Sequence, residues 1–185
     1  MDKGRRIGVI LAGGKARRFS GQDKGKLAYK NKRLIDHVYS RLSPQLDTIV
    51  ISGKEDYGLD VSVMPDLENG PNGPAAALFS AIYHPEILTG IGFLTAPVDG
   101  PMLPPNLYEQ LFGNSCSAVA TCEGQVHPTF AYWLIADLKD FFRTADLSGS
   151  ISLQFIAESL KAKHVAFSSP MNFFNINSPR DLQQD

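Results

Sequence analysis

The stretch Ile7-Gly8-Val9-Ile10-Leu11-Ala12-Gly13-Gly14 decides how the chain is read. Its first five residues are apolar without polar alternation, the pattern of a strand covered on both faces of a sheet. The run opens into Ala12-Gly13-Gly14 and then a polar, basic segment as far as Lys26. Glycines let backbone N–H groups approach phosphate oxygens and tolerate positive φ. A buried strand running into such a loop is a candidate anion site.

Working outward, Leu34, Ile35, Val38 and Leu42 recur at helical spacing and predict a helix over 34–42. Further strands are expected at 48–52 and 61–64, followed by an alanine-rich helix over 74–83 with Gly73 as its N-cap. A fourth strand over 91–96 runs into Pro97-Val98-Asp99-Gly100-Pro101. Beyond it the patterning predicts a helix at 106–112, strands at 118–122 and 129–134, and helices at 138–143 and 151–160, the last capped by Ser150. The tail reads as extended over 173–177, then as a capped helix start at Ser178-Pro179. Strand-helix alternation over the first 112 residues predicts an α/β fold with a mostly parallel sheet. Ligands of such sheets bind outside the carboxyl ends of the strands, near a switch in strand order. That rule singles out residues 12–24, 52–54, 65–73 and Asp99.

Composition sets the outer limits. With 185 residues, 43% of them hydrophobic, the chain suits a single domain over 1–185 and is not disordered. It contains no internal repeat, no apolar run of membrane-spanning length and no signal-peptide pattern, so a soluble, cytoplasmic protein is expected. Two cysteines, Cys116 and Cys122, fit neither a disulfide framework nor a metal-ligand spacing. Charge is unevenly placed. Residues 1–33 hold eleven basic and two acidic side chains, a net +9, whereas the other 152 hold seven and seventeen, a net −10. Without aromatic stacking partners this basic block argues against nucleic acid and for a small phosphorylated ligand, against the alternative of a solvated loop.

Within the block, Arg18 and Lys24 are the candidate catalytic cations, placed where phosphate charge accumulates, while Lys15 and Arg17 are assigned to solvent. The loop matches neither G-x-G-x-x-G nor G-x-x-x-x-G-K-[ST]. Asp99 reads either as a ligand for Mg²⁺, whose hard charge prefers oxygen donors, or as a turn residue. Asp66 reads as a ligand contact at a strand end or as a turn cap. His127 reads as a positioning group or a buried structural histidine.

The string Leu11-Ala12-Gly13-Gly14, then Arg18, then Asp23-Lys24, resembles the signature of nucleotidyltransferases, most closely the molybdenum cofactor guanylyltransferases (MobA-like proteins). The resemblance continues in order through Met64-Pro65-Asp66, Asn72-Gly73-Pro74, Asp99, His127-Pro128-Thr129 and Asn175-Ile176-Asn177-Ser178-Pro179. It implies a three-layer, Rossmann-like nucleotidyltransferase fold that uses Mg²⁺ to transfer GMP from GTP to molybdopterin. Leu11, Ala12, Gly13, Gly14, Lys24, Ser52, Asp66, Gly73 and Asp99 would then meet the nucleotide, and Asp99 the metal. His127, Asn175 and Asn177 would meet the acceptor. A transient contact with a molybdenum-insertion protein or a target reductase is also implied. The chain departs from the family pattern at Ala16, Phe19, Ser52, Ala77 and Gly100, none of which removes a charged group. Transfer from CTP, a sugar-phosphate acceptor, or a silent nucleotide-binding module are the alternatives; the presence of Lys24 and Asp99 speaks against the last.

Overall fold

β1 (Ile7–Leu11) lies inside a seven-stranded sheet, hydrogen-bonded on both edges. The structure is a computed structural model that describes residues 4–13, 21–113 and 116–183. β1 pairs in parallel with β4 (Thr48–Ser52), Gly8 opposite Ile49, and with β6 (Gly92–Pro97), Gly8 opposite Leu94. β5 (Ser62–Met64) extends the sheet beyond β4. On the other side β6 meets β8 (Gln125–Leu134) antiparallel, then β7 (Ala118–Cys122) and β9 (Lys163–Phe167) complete the order β5-β4-β1-β6-β8-β7-β9. Only β8 runs against the rest. The chain leaves β1 toward β4 and β5 and later returns to the opposite edge of β1 as β6. The switch in strand order therefore falls between β1 and its two neighbours.

The absence of polar alternation in β1 is explained by what covers it. Ile7 and Val9 face a core built with α2 (Ala75–Ala81), α4 (Ile135–Thr144) and α5 (Leu153–Ser159). Ile10 faces the opposite core, built with α1 (Leu34–Leu42) and α3 (Leu107–Phe112). Three layers result. Trp133 is fully buried, its indole N–H donating to Thr95 Oγ1 at 3.0 Å.

Several sequence expectations are corrected. β9 stood outside the predicted strands, because Lys163-His164-Val165 on a half-covered edge has little apolar signature. β8 begins four residues before the predicted start, since Glu123 and Gly124, with φ of 49° and 80°, make a two-residue hairpin turn from β7. A second hairpin, β2 (Ala28–Tyr29) and β3 (Lys32–Arg33), turns on Lys30 and Asn31, both at positive φ. The last long helix starts at Leu153 and is capped by Ser152, whose Oγ accepts from Phe155 N–H at 3.1 Å. Ser150 cannot serve as that cap because residues 149–151 are bonded to Asn72. Its side chain instead packs where a Cβ on Gly73 would stand; Gly73, at φ +82°, precedes the N-cap position, which Pro74 occupies. No helix starts at Ser178: Asp181 Oδ2 accepts the N–H groups of Asn177 and Ser178 at 2.8 and 2.7 Å, and a short 3₁₀ turn follows over Asp181–Gln183.

Candidate active site

The carboxyl ends of β1 and β6 are where charge converges. Ala12 N–H donates to the Ser52 carbonyl at 2.9 Å and Val98 N–H to the Leu11 carbonyl at 3.1 Å, so both flanking strands fix the exit from β1. Leu11, Ala12 and Gly13 thus begin the loop in a set direction. Ser52 contributes that carbonyl, while its side chain is buried at the end of β4. Gly14 and Arg18 lie outside the described residues, as do Lys15 and Arg17.

The loop re-enters at a 3₁₀ turn over Lys24–Lys26. Asp23 caps it, Oδ1 accepting from Gly25 N–H at 2.8 Å. Between these two residues Lys24 reaches inward, its Nζ 2.5 Å from Asp99 Oδ2 and donating to Asn177 Oδ1 at 3.1 Å. The ion pair is only partly exposed, 24% for Lys24 and 15% for Asp99, so water screens it weakly. Residues separated by 75 and 153 positions in sequence meet at one ammonium group.

Asp99 is held in the turn beyond β6. Its carbonyl accepts from Ile176 N–H at 2.8 Å, joining the tail to the loop. Ile176 is fully buried against Tyr29 and Leu34, so the hairpin and the start of α1 anchor the tail. Ile176 enters the core, while Asn177 is exposed beside Lys24. Asn177 Nδ2 also donates to the Asn175 carbonyl at 3.3 Å. Asn175 Oδ1 is buried and, among the described residues, has no hydrogen-bond partner. Such an atom carries a desolvation cost that a donor or a cation would relieve. Gly100 has no side chain for a spatial reason, since a Cβ there would stand 2.6 Å from Phe130 Cζ and 3.2 Å from Asn175 Oδ1.

His127 pairs with Ala120 and borders a register shift, in which Pro128 and the two residues after it have no partner on β7, a bulge that bends the strand. The imidazole stacks on Phe173, centroids 4.6 Å apart, and burial pushes its pKa below the ordinary value, keeping it neutral near pH 7. Phe173 was expected in an extended segment but lies in a 3₁₀ turn (Pro170–Phe173), packed edge-on against Phe130. His127 is therefore one wall of an aromatic group that reaches Gly100. Among the described residues, the hydrogen bonds and ion pairs of Lys24 and Asp99 do not include it. Asp66 is exposed after β5, in a turn fixed by Ser80 Oγ accepting Leu67 N–H at 2.9 Å. Partial desolvation by surrounding protein raises its carboxyl above the ordinary value.

Sequence reading missed one participant. Tyr57, in the loop between β4 and β5, places its hydroxyl 2.9 and 3.0 Å from the two oxygens of Asp23. Asp56-Tyr57-Gly58 reads as an ordinary turn, with no sequence signal linking it to the glycine loop.

The mostly parallel, three-layer sheet with this strand order matches the Rossmann-like fold of nucleotidyltransferases. Residues 8–162 match the family model of the MobA-like NTP transferase domain. The chain belongs to that family. It is 32% identical to the molybdenum cofactor guanylyltransferase of Cereibacter sphaeroides over 184 residues, 96% of this chain and 94% of that one. The enzyme of that name from Yersinia pestis is also 32% identical, over 94% of this chain and 91% of its own. Among solved structures, molybdopterin-guanine dinucleotide biosynthesis protein A from Archaeoglobus fulgidus superposes with a TM-score of 0.73 at 23% identity, covering 96% of this chain and 95% of that one. Among the described residues no helix is long and apolar enough to cross a membrane.

Proposed function

We propose that the chain transfers GMP from GTP to the terminal phosphate of molybdopterin, giving molybdopterin guanine dinucleotide and pyrophosphate. The observation that carries this reading is the convergence of Lys24, Asp99 and Asn177 at the ends of β1 and β6. An oxygen of the acceptor phosphate attacks the α-phosphorus of GTP as the bond to the departing pyrophosphate breaks. Such transfers need little covalent help from protein and depend on positioning and positive charge. In this reading the nucleotide side draws on the backbone of Leu11, Ala12 and Gly13 and on Gly14 of the same motif, with Ser52 and Asp66 at neighbouring strand ends and Gly73 just before α2. Lys24 and Arg18 offset the repulsion between two anionic substrates. Asn175 and Asn177, with His127 in the adjoining wall, face the acceptor.

Asp99, a carboxylate 15% exposed beyond the end of β6, supplies hard oxygen donors that fit Mg²⁺. No group of three or more His, Cys, Asp or Glu suited to a metal occurs among the described residues. That donor set suits a cation that keeps water and phosphate oxygens in its shell. When bound, Mg²⁺ would neutralise phosphate charge and orient the triphosphate.

The test is a thermal-shift series with GTP, CTP, ATP and UTP, each with Mg²⁺. A ligand at 100 times its dissociation constant stabilises by about 2.7 kcal/mol. GTP alone should produce that shift. A selective response to CTP would replace GTP in the reading, and no response to any of the four would overturn the nucleotide site.

The tail offers a second prediction. Asn177 touches Lys24 whereas Asn175 does not, so the two asparagines should separate. Asn175→Ala should weaken molybdopterin binding by about tenfold, equivalent to one net hydrogen bond of about 1.4 kcal/mol, with GTP affinity unchanged. Asn177→Ala should mainly slow turnover through Lys24. Separate titrations of GTP and molybdopterin check this; equal losses for both ligands in Asn175→Ala would assign the tail to fold maintenance.

A further inference from the structure

Lys24 is held from both sides in sequence by one side chain. Tyr57 is 7% exposed and adopts φ +56° in the loop between β4 and β5. On one side of Lys24, its hydroxyl bonds the Asp23 carboxylate, the group that caps the 3₁₀ turn. On the other side its ring fills the space that a side chain at position 25 would need: a Cβ on Gly25 would stand 2.7 Å from Tyr57 Cε1 and 2.8 Å from Cζ. The residues before and after Lys24 therefore both rest on Tyr57.

Tyr57 is itself fixed. Arg33 Nη1 donates to the Tyr57 carbonyl at 2.9 Å. The same guanidinium is locked by Asp36, with Nε and Nη2 donating to the two carboxylate oxygens at 2.8 and 2.6 Å. Lys26 and Glu55 form a second tie between the loop and the turn at 2.7 Å. Burial and the neighbouring Asp23 carboxylate push the phenol pKa well above its ordinary value, so the hydroxyl remains a donor at any working pH. Rigid support of this kind is what a cation needs if it is to stay aimed at one carboxylate.

We propose that Tyr57 is a positioning residue for Lys24, setting the backbone from which the ammonium reaches Asp99. The inference rests on the nucleotidyl-transfer reading for its kinetic arm but not for its structural one. Tyr57→Phe keeps the ring over Gly25 and removes only the bond to Asp23. Nucleotidyl transfer should slow about tenfold at saturating substrates, with the KM for nucleotide changed less than threefold. In a Lys24→Ala background the same substitution should have no further effect, because the group it positions is gone.

The experiment compares wild type, Tyr57→Phe, Lys24→Ala and the double variant by single-turnover kinetics. In parallel, lysine ammonium ¹H–¹⁵N spectra are recorded on the substrate-free proteins, with Lys24 assigned by its loss in Lys24→Ala. The Lys24 signal should move toward those of solvent-exposed lysines in Tyr57→Phe. Equal slowing in both backgrounds, or an unmoved Lys24 signal, overturns the proposal. If wild type transfers no nucleotide, the proposed function fails and the spectra alone decide the role of Tyr57. Should Tyr57→Phe not fold, Asp23→Ala removes the partner of the hydroxyl and is read by the same two measurements.

Discussion

Asp99→Asn is expected to abolish nearly all turnover while leaving the fold in place. The asparagine has the same shape, and the backbone carbonyl that accepts from Ile176 N–H is untouched, so the tail should remain docked. What disappears is the one negative charge bonded to Lys24 among the described residues. An amide oxygen is a far weaker partner for an ammonium or a divalent cation than a carboxylate. Losing one preorganised electrostatic contact in a partly dry site costs on the order of 100- to 1,000-fold in rate. The stability cost should be about 1 kcal/mol or less, because Lys24, 24% exposed, can turn its ammonium toward water. Pyrophosphate release measured alongside circular dichroism checks both parts. Near-normal turnover in the variant would remove Asp99 from the site.

Much of this arrangement was legible in the sequence because it is local. The Ile7–Leu11 run, the glycines after it and the aspartate after the fourth strand each carry their own pattern, and a parallel sheet places strand ends side by side. The tail was legible for a different reason. Alternation in Asn175-Ile176-Asn177 sends one residue to the core, and Ile176 is fully buried. Alternation says nothing about which partner the exposed residue finds. That Asn177 meets Lys24, and that Asn175 Oδ1 is buried beside Gly100, depends on contacts across most of the chain.

The misses have physical causes of the same kind. Ser150 and Ser152 are equally good caps by composition; the bridge to Asn72 decides between them by using the backbone around Ser150. β9 lies at an edge of the sheet, where one uncovered side leaves Lys163 and His164 exposed and erases the apolar run that marks an interior strand. Tyr57 is the extreme case. Its role depends on a glycine 32 positions earlier lacking a Cβ, and no periodicity in either segment encodes that.

Lys24→Ala should lower the single-turnover rate by on the order of 100-fold or more at saturating GTP, comparable to removing one donor from an oxyanion site. The geometry supports an effect this large. The ammonium is concentrated between Asp99 and Asn177, and its backbone is set by a capped turn, so little reorganisation is needed to meet developing charge. Arg18→Ala should act on the same step, while Lys15→Ala and Arg17→Ala should change the rate only slightly; equal small losses at all four positions would reduce the cluster to ligand steering. A second measurement separates catalysis from simple structural support. In the substrate-free protein Lys24 neutralises Asp99, so a divalent cation must compete with the ammonium for that carboxylate. Removing Lys24 should therefore strengthen binding of Mn²⁺, used as a paramagnetic probe for Mg²⁺, even as turnover falls. The two effects carry opposite signs. If Lys24 merely braced the loop, its loss would disorder Asp99 as well, and metal binding and rate would decline together.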